Sequence, residues 1–241
     1  GPWLAASVFL VLAALNTTVR LRPDPLHLAG ATASVPQTSG AWGALQLTLR
    51  SPGGRLALLS MVISQATMVA VMTMTPVHLK LHGHESVSPY VVSLHIAGMF
   101  AFSPLVGRYA DRFGRQQAIF VGGVLLVAAG ALSTVSGDGH IVLFPSLWLL
   151  GVGWNFGLIG GSSLLVESAT ESDRVRVQGV ADLLMSFCGG LAGFSSGFVR
   201  RAIGFHLLSF GSLMLAAVVV VYLVVGSPRL RPTVASLTGR R

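Results

Sequence analysis

The stretch VGRYADRFGRQQ, which runs from Val106 to Gln117, decides the interpretation of this chain. It places three arginines and one aspartate within eight residues, between two long apolar runs. Charged residues make up only 10% of the 241 residues, whereas a soluble domain carries about 25%. Because so little polar surface could not cover a globule in water, we expect the chain to reside in a lipid bilayer.

Charge and cysteine content exclude several functional classes. The formal net charge is +8, but the basic residues lie in short gaps between apolar runs. A nucleic-acid site would need them clustered on a water-soluble face, so no nucleic-acid partner is expected. The single cysteine, Cys188, lies within an apolar run. It allows neither a disulfide framework nor a thiolate metal site, and no cofactor is predicted.

Seven apolar runs define the expected architecture. Each of the last six can cross about 30 Å of hydrocarbon as an α-helix, at a rise of about 1.5 Å per residue. An all-α polytopic membrane protein is expected, because open strand edges leave backbone groups unsatisfied in lipid. The runs are Pro2–Val19, Leu56–Thr75, Pro89–Val106, Ala118–Val135, Ile141–Val166, Val177–Val199 and Ala202–Val225.

The basic residues predict the orientation of these runs. Thirteen of the sixteen fall on one side of the predicted membrane. The positive-inside rule makes that side cytoplasmic. This places the C-terminus in the cytoplasm of a multi-pass protein of the cell membrane, which in a bacterium is the inner membrane. The three residues on the other side are Lys80 and the pair Arg200 and Arg201, and the arginine pair fits the rule poorly.

The opening stretch carries a family resemblance. Its glycines, aspartate and arginines resemble the cytoplasmic loop signature of the major facilitator superfamily, Gly-x-x-x-Asp-Arg/Lys-x-Gly-Arg-Arg/Lys. Gln116 stands where a final basic residue is usual. The matching residues are Gly107, Arg108, Asp111, Arg112, Gly114 and Arg115.

This resemblance implies a domain layout. The family carries a second copy of the motif between helices eight and nine, which fits if Pro2–Val19 is helix six. Residues 1–20 would then be the last helix of a truncated first half, and 21–54 the cytoplasmic linker between halves, with a short amphipathic stretch near Ala41–Leu49. Residues 55–226 would form the six-helix C-terminal half, and 227–241 a cytoplasmic tail. The first half of the same transporter is then a missing partner.

The loop itself is predicted to act as a gate. Gly107 and Gly114 allow a tight turn and close approach of two helices, and Asp111 and Arg115 have the i, i+4 spacing of a helical ion pair. The resemblance implies that Asp111 faces a neighbouring helix N-terminus and that the motif arginine reaches Glu167. Asp182 is expected to join this network. The alternative is that the charges only anchor the topology.

Polar residues inside the runs predict a substrate cavity, since such groups are costly in lipid. A glutamine among flexible methionines suits a site for varied apolar solutes, and a mid-helix histidine can titrate in a proton-coupled cycle. Each of these residues could instead serve helix packing. The predicted cavity residues are Gln65, Met68, Met72, His95, Trp154 and Asn155.

Two further patterns receive a structural interpretation. His78, His82, His84 and Glu85 cluster in "HLKLHGHE", but they complete no metal-site pattern, so no metal is predicted. Glycines at four-residue spacing favour close helix packing, or sliding surfaces in a moving transporter. They are Gly153, Gly157 and Gly161 in one run, and Gly189, Gly193 and Gly197 in another.

The predicted function is secondary active transport of a small solute by alternating access, as part of a longer protein. The resemblance to bacterial drug exporters favours proton-coupled efflux, and so do the methionines that lie on one helical stripe with Gln65. The protein would then be an antiporter with protons as a predicted partner. A seven-helix receptor or sensor is the alternative, although the only lysine, Lys80, lies in a loop and could not hold retinal. A non-transporting fragment is another. An intramembrane enzyme is disfavoured, because neither an HExxH motif nor paired mid-membrane carboxylates occur.

Overall fold

The computed structural model describes residues 2–20, 22, 40–171 and 173–226. Most of the predicted linker and the whole predicted tail, 227–241, lie outside the described residues. The chain divides into two compact units, Gly1–Thr38 and Ser39–Arg241. The first unit contains α1, Pro2–Arg20, whose apolar side chains such as Leu4 and Phe9 are exposed.

The second unit contains all the other helices described. Between its long helices the chain makes short connections, including a single 3₁₀ turn at Glu85–Val87. The helices are α2 at Ala41–Arg50, α3 at Pro52–Leu81, α4 at Ser88–Phe100, α5 at Ser103–Phe113, α6 at Arg115–Thr134, α7 at Leu143–Glu167 and α8 at Arg174–Gly226. Within the described residues the regular structure is helical throughout, which confirms the predicted fold class.

Five of these elements are long and apolar enough to cross a membrane, among the residues that the structure describes. The described apolar part of α1 is shorter, at Ser7–Arg20. Two of the five elements are interrupted and correspond to three of the predicted runs. The five are Pro52–Leu81, Glu85–Phe113, Arg115–Thr134, Leu143–Glu167 and Arg174–Gly226.

The predicted run Pro89–Val106 is broken into α4 and α5. Pro104, at the second position of α5, has no N–H to continue the hydrogen bonds of α4. The run therefore continues as a second, shorter helix that carries the motif beyond the predicted end, to Phe113.

The α8 segment consists of two helical legs, residues 174–203 and 205–226. The legs are joined at Gly204 and form a hairpin. Gly204 has φ 85° and ψ 169°, a conformation that only glycine adopts without strain. Val177 near one end shares a hydrophobic cluster with Ala57 of α3, and Leu223 near the other shares one with Leu56. Both legs therefore end beside the start of α3, while Gly204 lies at its far end.

The bundle thus has two ends that can be named by their residues. The motif end contains Asp111 and Glu167, and the N-terminal part of α3 lies beside it, because a Cβ at Gly53 would touch Ser168. The histidine end contains His78, near the end of α3, and Phe205, which stacks on it with ring centroids 4.4 Å apart. The amphipathic helix α2 packs at the motif end, with Ala44 buried in the same cluster as Val177.

The glycines of α7 serve close packing. A Cβ at Gly122 of α6 would lie 2.8 Å from the backbone nitrogen of Gly157, closer than two such atoms can approach. Gly157 also faces Ser60 of α3, whose hydroxyl donates to the Gly157 carbonyl at 3.3 Å. The stripe therefore holds α3, α6 and α7 together. Gly197 in the other stripe has no atom within 4 Å of where its Cβ would be, so it makes no comparable contact within the described residues.

Candidate functional site

The opening motif forms a tight reversal between two helices. α5 ends at Phe113, and α6 begins at Arg115 after Gly114, whose φ is 101° and ψ 153°. This conformation is strained for any residue with a Cβ. Gly114 thus separates Asp111 from Arg115, so the continuous helix that their i, i+4 spacing suggested is not present.

Arg115 nevertheless joins two carboxylates from different helices. Its Nη1 donates to Oδ1 of Asp111 at 2.6 Å, and its Nε donates to Oε1 of Glu167 at 2.9 Å. The Arg115 side chain is 23% exposed, against 71% for Asp111 and 53% for Glu167. One guanidinium therefore connects the adjacent ends of α5, α6 and α7. We call Asp111, Arg115 and Glu167 the charge cluster.

A cleft of about 480 Å³ opens beside the charge cluster. Both ion pairs lie on its wall, so breaking either one would change its shape. Its other lining residues are Ala110, Phe113, Gly114, Gln116, Gln117 and Leu164.

The remaining motif residues are arranged differently from the prediction. Arg108 and Arg112 are exposed, and the Arg112 guanidinium lies 5.3 Å from the centroid of the Phe113 ring. Gly107 has no atom within 4 Å of where its Cβ would be. The predicted close helix approach at Gly107 is therefore not made within the described residues.

Asp182 is not brought to the charge cluster. It is exposed on the first leg of α8, and its Oδ1 accepts a hydrogen bond from Nε2 of Gln178 at 2.9 Å. The predicted network required Asp182 to face the motif arginines. In the structure its partner is Gln178, one turn earlier on the same helix.

A second group of predicted residues meets between α3 and α7. The indole Nε1 of Trp154 donates to Oε1 of Gln65 at 2.7 Å. Trp154 is 7% exposed and shares a buried cluster with Met68, against which Met72 also packs. Gly189 makes room for Gln65, since a Cβ there would lie 3.0 Å from the glutamine side chain. Four of the six predicted cavity residues therefore lie together.

His95 does not join this group. Its ring is fully buried, and its Nδ1 is 2.9 Å from the carbonyl oxygen of Leu147. Leu147 precedes Trp154 by two turns of α7, or roughly 10 Å. The structure thus places His95 against the backbone of a neighbouring helix rather than on a space shared with Gln65.

Asn155 occupies a third position. Its Oδ1 accepts from Oγ of Ser103 at 3.3 Å, which ties α7 to the start of α5. Its Nδ2 is buried and has no hydrogen-bond partner. Sequence reasoning missed Ser103, because a lone serine beside a proline carries no signal of a distant partner.

The histidine end holds an ionic contact that the sequence did not predict. Nδ1 of His82 donates to the carbonyl oxygen of His78 at 2.8 Å, and its Nε2 lies 3.0 Å from Oδ1 of Asp138. Each ring nitrogen of His82 therefore faces an oxygen acceptor, one on its own helix and one in the turn that follows α6. Among the residues described, no group of three or more His, Cys, Asp or Glu side chains is arranged to hold a metal ion.

Comparisons with known proteins place this geometry in context. Residues 1–194 and 56–240 match the sequence model of the Major Facilitator Superfamily. The chain is 36% identical over 235 residues to the uncharacterized MFS-type transporter YddS of Bacillus subtilis, covering 92% of this chain and 53% of that protein. It is similarly related to YdeG of the same organism, at 36% identity over 229 residues, covering 91% of this chain and 53% of YdeG.

A third relative carries a more specific name. The riboflavin transporter RfnT of Brucella anthropi is 32% identical over 185 residues, which cover 76% of this chain and 46% of RfnT. The chain therefore spans about half the length of the curated relatives it matches. No solved structure matches the chain.

Proposed function

Because this chain belongs to the Major Facilitator Superfamily, we propose that it forms one half of a membrane transporter that moves a small solute by alternating access. In such transporters two halves rock around a site near the middle of the bilayer. Residues 55–226 would be the C-terminal half, residues 1–20 the last helix of the first half, 21–54 the linker and 227–241 a tail. The motif end would lie on the cytoplasmic side of a cell membrane.

The charge cluster is the observation that carries this proposal. Arg115 joins the ends of three helices at the surface, where a change of its partners would let those ends separate. Exposed ion pairs contribute only about 0–1 kcal/mol. Such weak contacts suit a latch, meaning ion pairs that must break in every transport cycle, better than they suit a permanent structural contact.

The Gln65–Trp154 pair supports a substrate class. The Gln65 amide has two N–H donors that the Trp154 contact does not use, and it is half-buried. A large aromatic ring beside an amide suits a planar, amphipathic solute. One relative is named a riboflavin transporter, and a flavin has this chemistry.

For direction and energy source we propose proton-coupled efflux. The resemblance to bacterial drug exporters supports it. His95 provides an imidazole whose Nε2 has no hydrogen-bond partner and could accept a proton during the cycle.

The proposal is tested by flux measurements in proteoliposomes. Riboflavin and other planar fluorescent solutes would be followed with and without a pH gradient, for this chain alone and for the chain joined to a first half. We expect no flux from the chain alone and gradient-dependent flux from the joined protein. Saturable flux by the 241 residues alone would contradict the two-half proposal.

Two arginine substitutions test the latch in the same assay. Arg115→Gln should slow flux about fivefold or more, the size of an ordinary coupling between sites. Arg112→Gln removes the same charge from the same motif. Arg112 is exposed, and its described contact is with the Phe113 ring. The flux of this variant should therefore stay near that of the unmodified protein. Equal losses of flux in the two variants would show that flux depends on the net charge of the motif rather than on the ion pairs of Arg115.

A further inference from the structure

Four basic side chains converge at the histidine end of the bundle. The rings of His82 and His206 lie with centroids 4.3 Å and 5.5 Å from that of His78. Arg200 lies four residues before Gly204 on the first leg of α8, and His206 lies two residues after it on the second leg. These groups come from α3, from the turn that follows it and from both legs of α8, so the fold itself brings basic side chains from three places in the chain to one end.

The carboxylates near these side chains are already engaged. Asp138 pairs with His82, and Glu85 pairs with Lys80 at 3.3 Å. No described carboxylate lies within ion-pair distance of Arg200. The cluster therefore has a positive charge that the described residues do not neutralise.

Two nitrogen atoms of this cluster are also without hydrogen bonds. Nε of Arg200 and Nδ1 of His206 are both buried and have no partner. A guanidinium stays protonated in any protein, and a buried polar group without a partner costs free energy. Two such atoms on the two sides of the Gly204 reversal indicate a ligand with anionic or carbonyl oxygens.

The sequence indicates the same place independently. Arg200 and Arg201 are the pair that fits the positive-inside rule poorly. They lie just before the Gly204 reversal of α8, between two predicted membrane-spanning runs. A basic pair retained there against the topology signal suggests a role in binding.

We propose that Arg200 and His206 form a binding site for a phosphate oxyanion, either the headgroup of an anionic lipid or free phosphate. Arginine presents several N–H donors to phosphate in a fixed geometry, and the Nδ1 of His206 can donate one more. An apolar groove of about 210 Å³ runs between the two legs of α8, lined in part by Ile203, Leu207 and Leu215. Its position would allow a lipid bound at Arg200 to place an acyl chain between the legs.

The test uses the full chain in a neutral detergent, with phosphatidylglycerol, phosphatidylcholine and inorganic phosphate as separate probes. Retained lipid would be counted by native mass spectrometry, and melting temperature followed by tryptophan fluorescence. The variants are Arg200→Gln, His206→Gln and Arg200→Lys. Arg201→Gln is the matched control, since it removes the same charge from an exposed neighbour.

The lipid form of the site is supported if the chain retains phosphatidylglycerol over phosphatidylcholine and Arg200→Gln lowers this retention about tenfold, the loss of one charged hydrogen bond. The phosphate form is supported if inorganic phosphate alone raises the melting temperature and Arg200→Gln removes the shift. In both cases Arg201→Gln should keep binding and Arg200→Lys should restore part of it.

Equal effects of Arg200→Gln and Arg201→Gln would overturn the proposal, as would an unmodified chain that responds to neither anionic probe. His206→Gln preserves the test if Arg200→Gln does not fold. The His206→Gln variant keeps Arg200. Unchanged anion binding in this variant would show that His206 is not part of the site.

Discussion

Arg115 is the residue whose environment is most informative, because its two carboxylate partners come from different helices. Asp111 precedes it by one turn across Gly114, and Glu167 ends α7. Both carboxylates are more exposed than the guanidinium, so water competes with each pair. We expect the cluster to influence which shape the motif end adopts more than it influences folding.

The Asp111→Asn variant tests this expectation, since it preserves shape and removes one charge. A cysteine at Gln117, on the wall of the cleft, would report access in a Cys188→Ser background. Its labelling should become about two- to fivefold faster, because an exposed pair contributes about 0–1 kcal/mol and 1 kcal/mol is roughly a fivefold change in population. Melting temperature should change little.

Asp182→Asn is the matched control for that measurement. Asp182 is an exposed carboxylate at the same end of the bundle, and its described contact is with Gln178 rather than with an arginine. It should leave the labelling rate unchanged. If the two aspartate variants behave alike, the charge cluster is only a topology anchor.

Sequence reasoning reached the Arg115–Glu167 contact through the family resemblance, not through spacing. Hydropathy showed that His95 lies within a helix, but it could not show which neighbour the ring faces. The structure directs it to the carbonyl of Leu147. The sequence position of Asp182 places it near the motif end, but it does not determine which side of the helix the carboxylate occupies.

At the scale of elements, the hairpin of α8 depends on one residue. Gly204 has a backbone conformation that costs other residues about 1–3 kcal/mol, and nothing lies within 4 Å of where its Cβ would be. Any penalty for a methyl group there must therefore come from the backbone rather than from a clash.

Gly204→Ala should destabilise the bundle by about 1–3 kcal/mol, as measured by unfolding in denaturing detergent. Gly211→Ala is the matched change, because Gly211 has equally open space but lies within the helical second leg. It should be neutral or stabilising by up to about 1 kcal/mol. Equal stabilities for the two variants would show that the reversal is not strained.

The elements themselves were largely predictable, and the differences have local causes. Helices extend beyond the apolar runs because polar residues continue them, as His78 and Lys80 do for α3. Helix α4 ends early because of Pro104. Hydropathy alone could not reveal either effect, since it measures preference for lipid and not backbone geometry.

At the scale of the whole molecule, the two ends of the bundle differ in chemistry. The motif end has an arginine shared by carboxylates, and at the histidine end Arg200 has no carboxylate partner among the described residues. We propose that the motif end is cytoplasmic, because seven of the nine arginines described in the second unit lie at that end.

Cysteine labelling in intact cells tests this orientation. In a Cys188→Ser background, a cysteine at Ser86, at the histidine end, should react with a membrane-impermeant thiol reagent. A cysteine at Ser168, beside Glu167, should react only after the membrane is opened. Both serines are exposed, so burial does not explain a difference, and the opposite labelling pattern would reverse the orientation.

The one-residue joint at Gly204 has a consequence for biosynthesis. Because a single residue joins the two legs, no loop separates them that could remain on one side of the membrane while the second leg is still being translated. We therefore expect the two legs to enter the bilayer together, as a hairpin. In the orientation proposed here, Arg200 and Arg201 travel with the tip of that pair, so two charges cross the hydrocarbon during every round of synthesis.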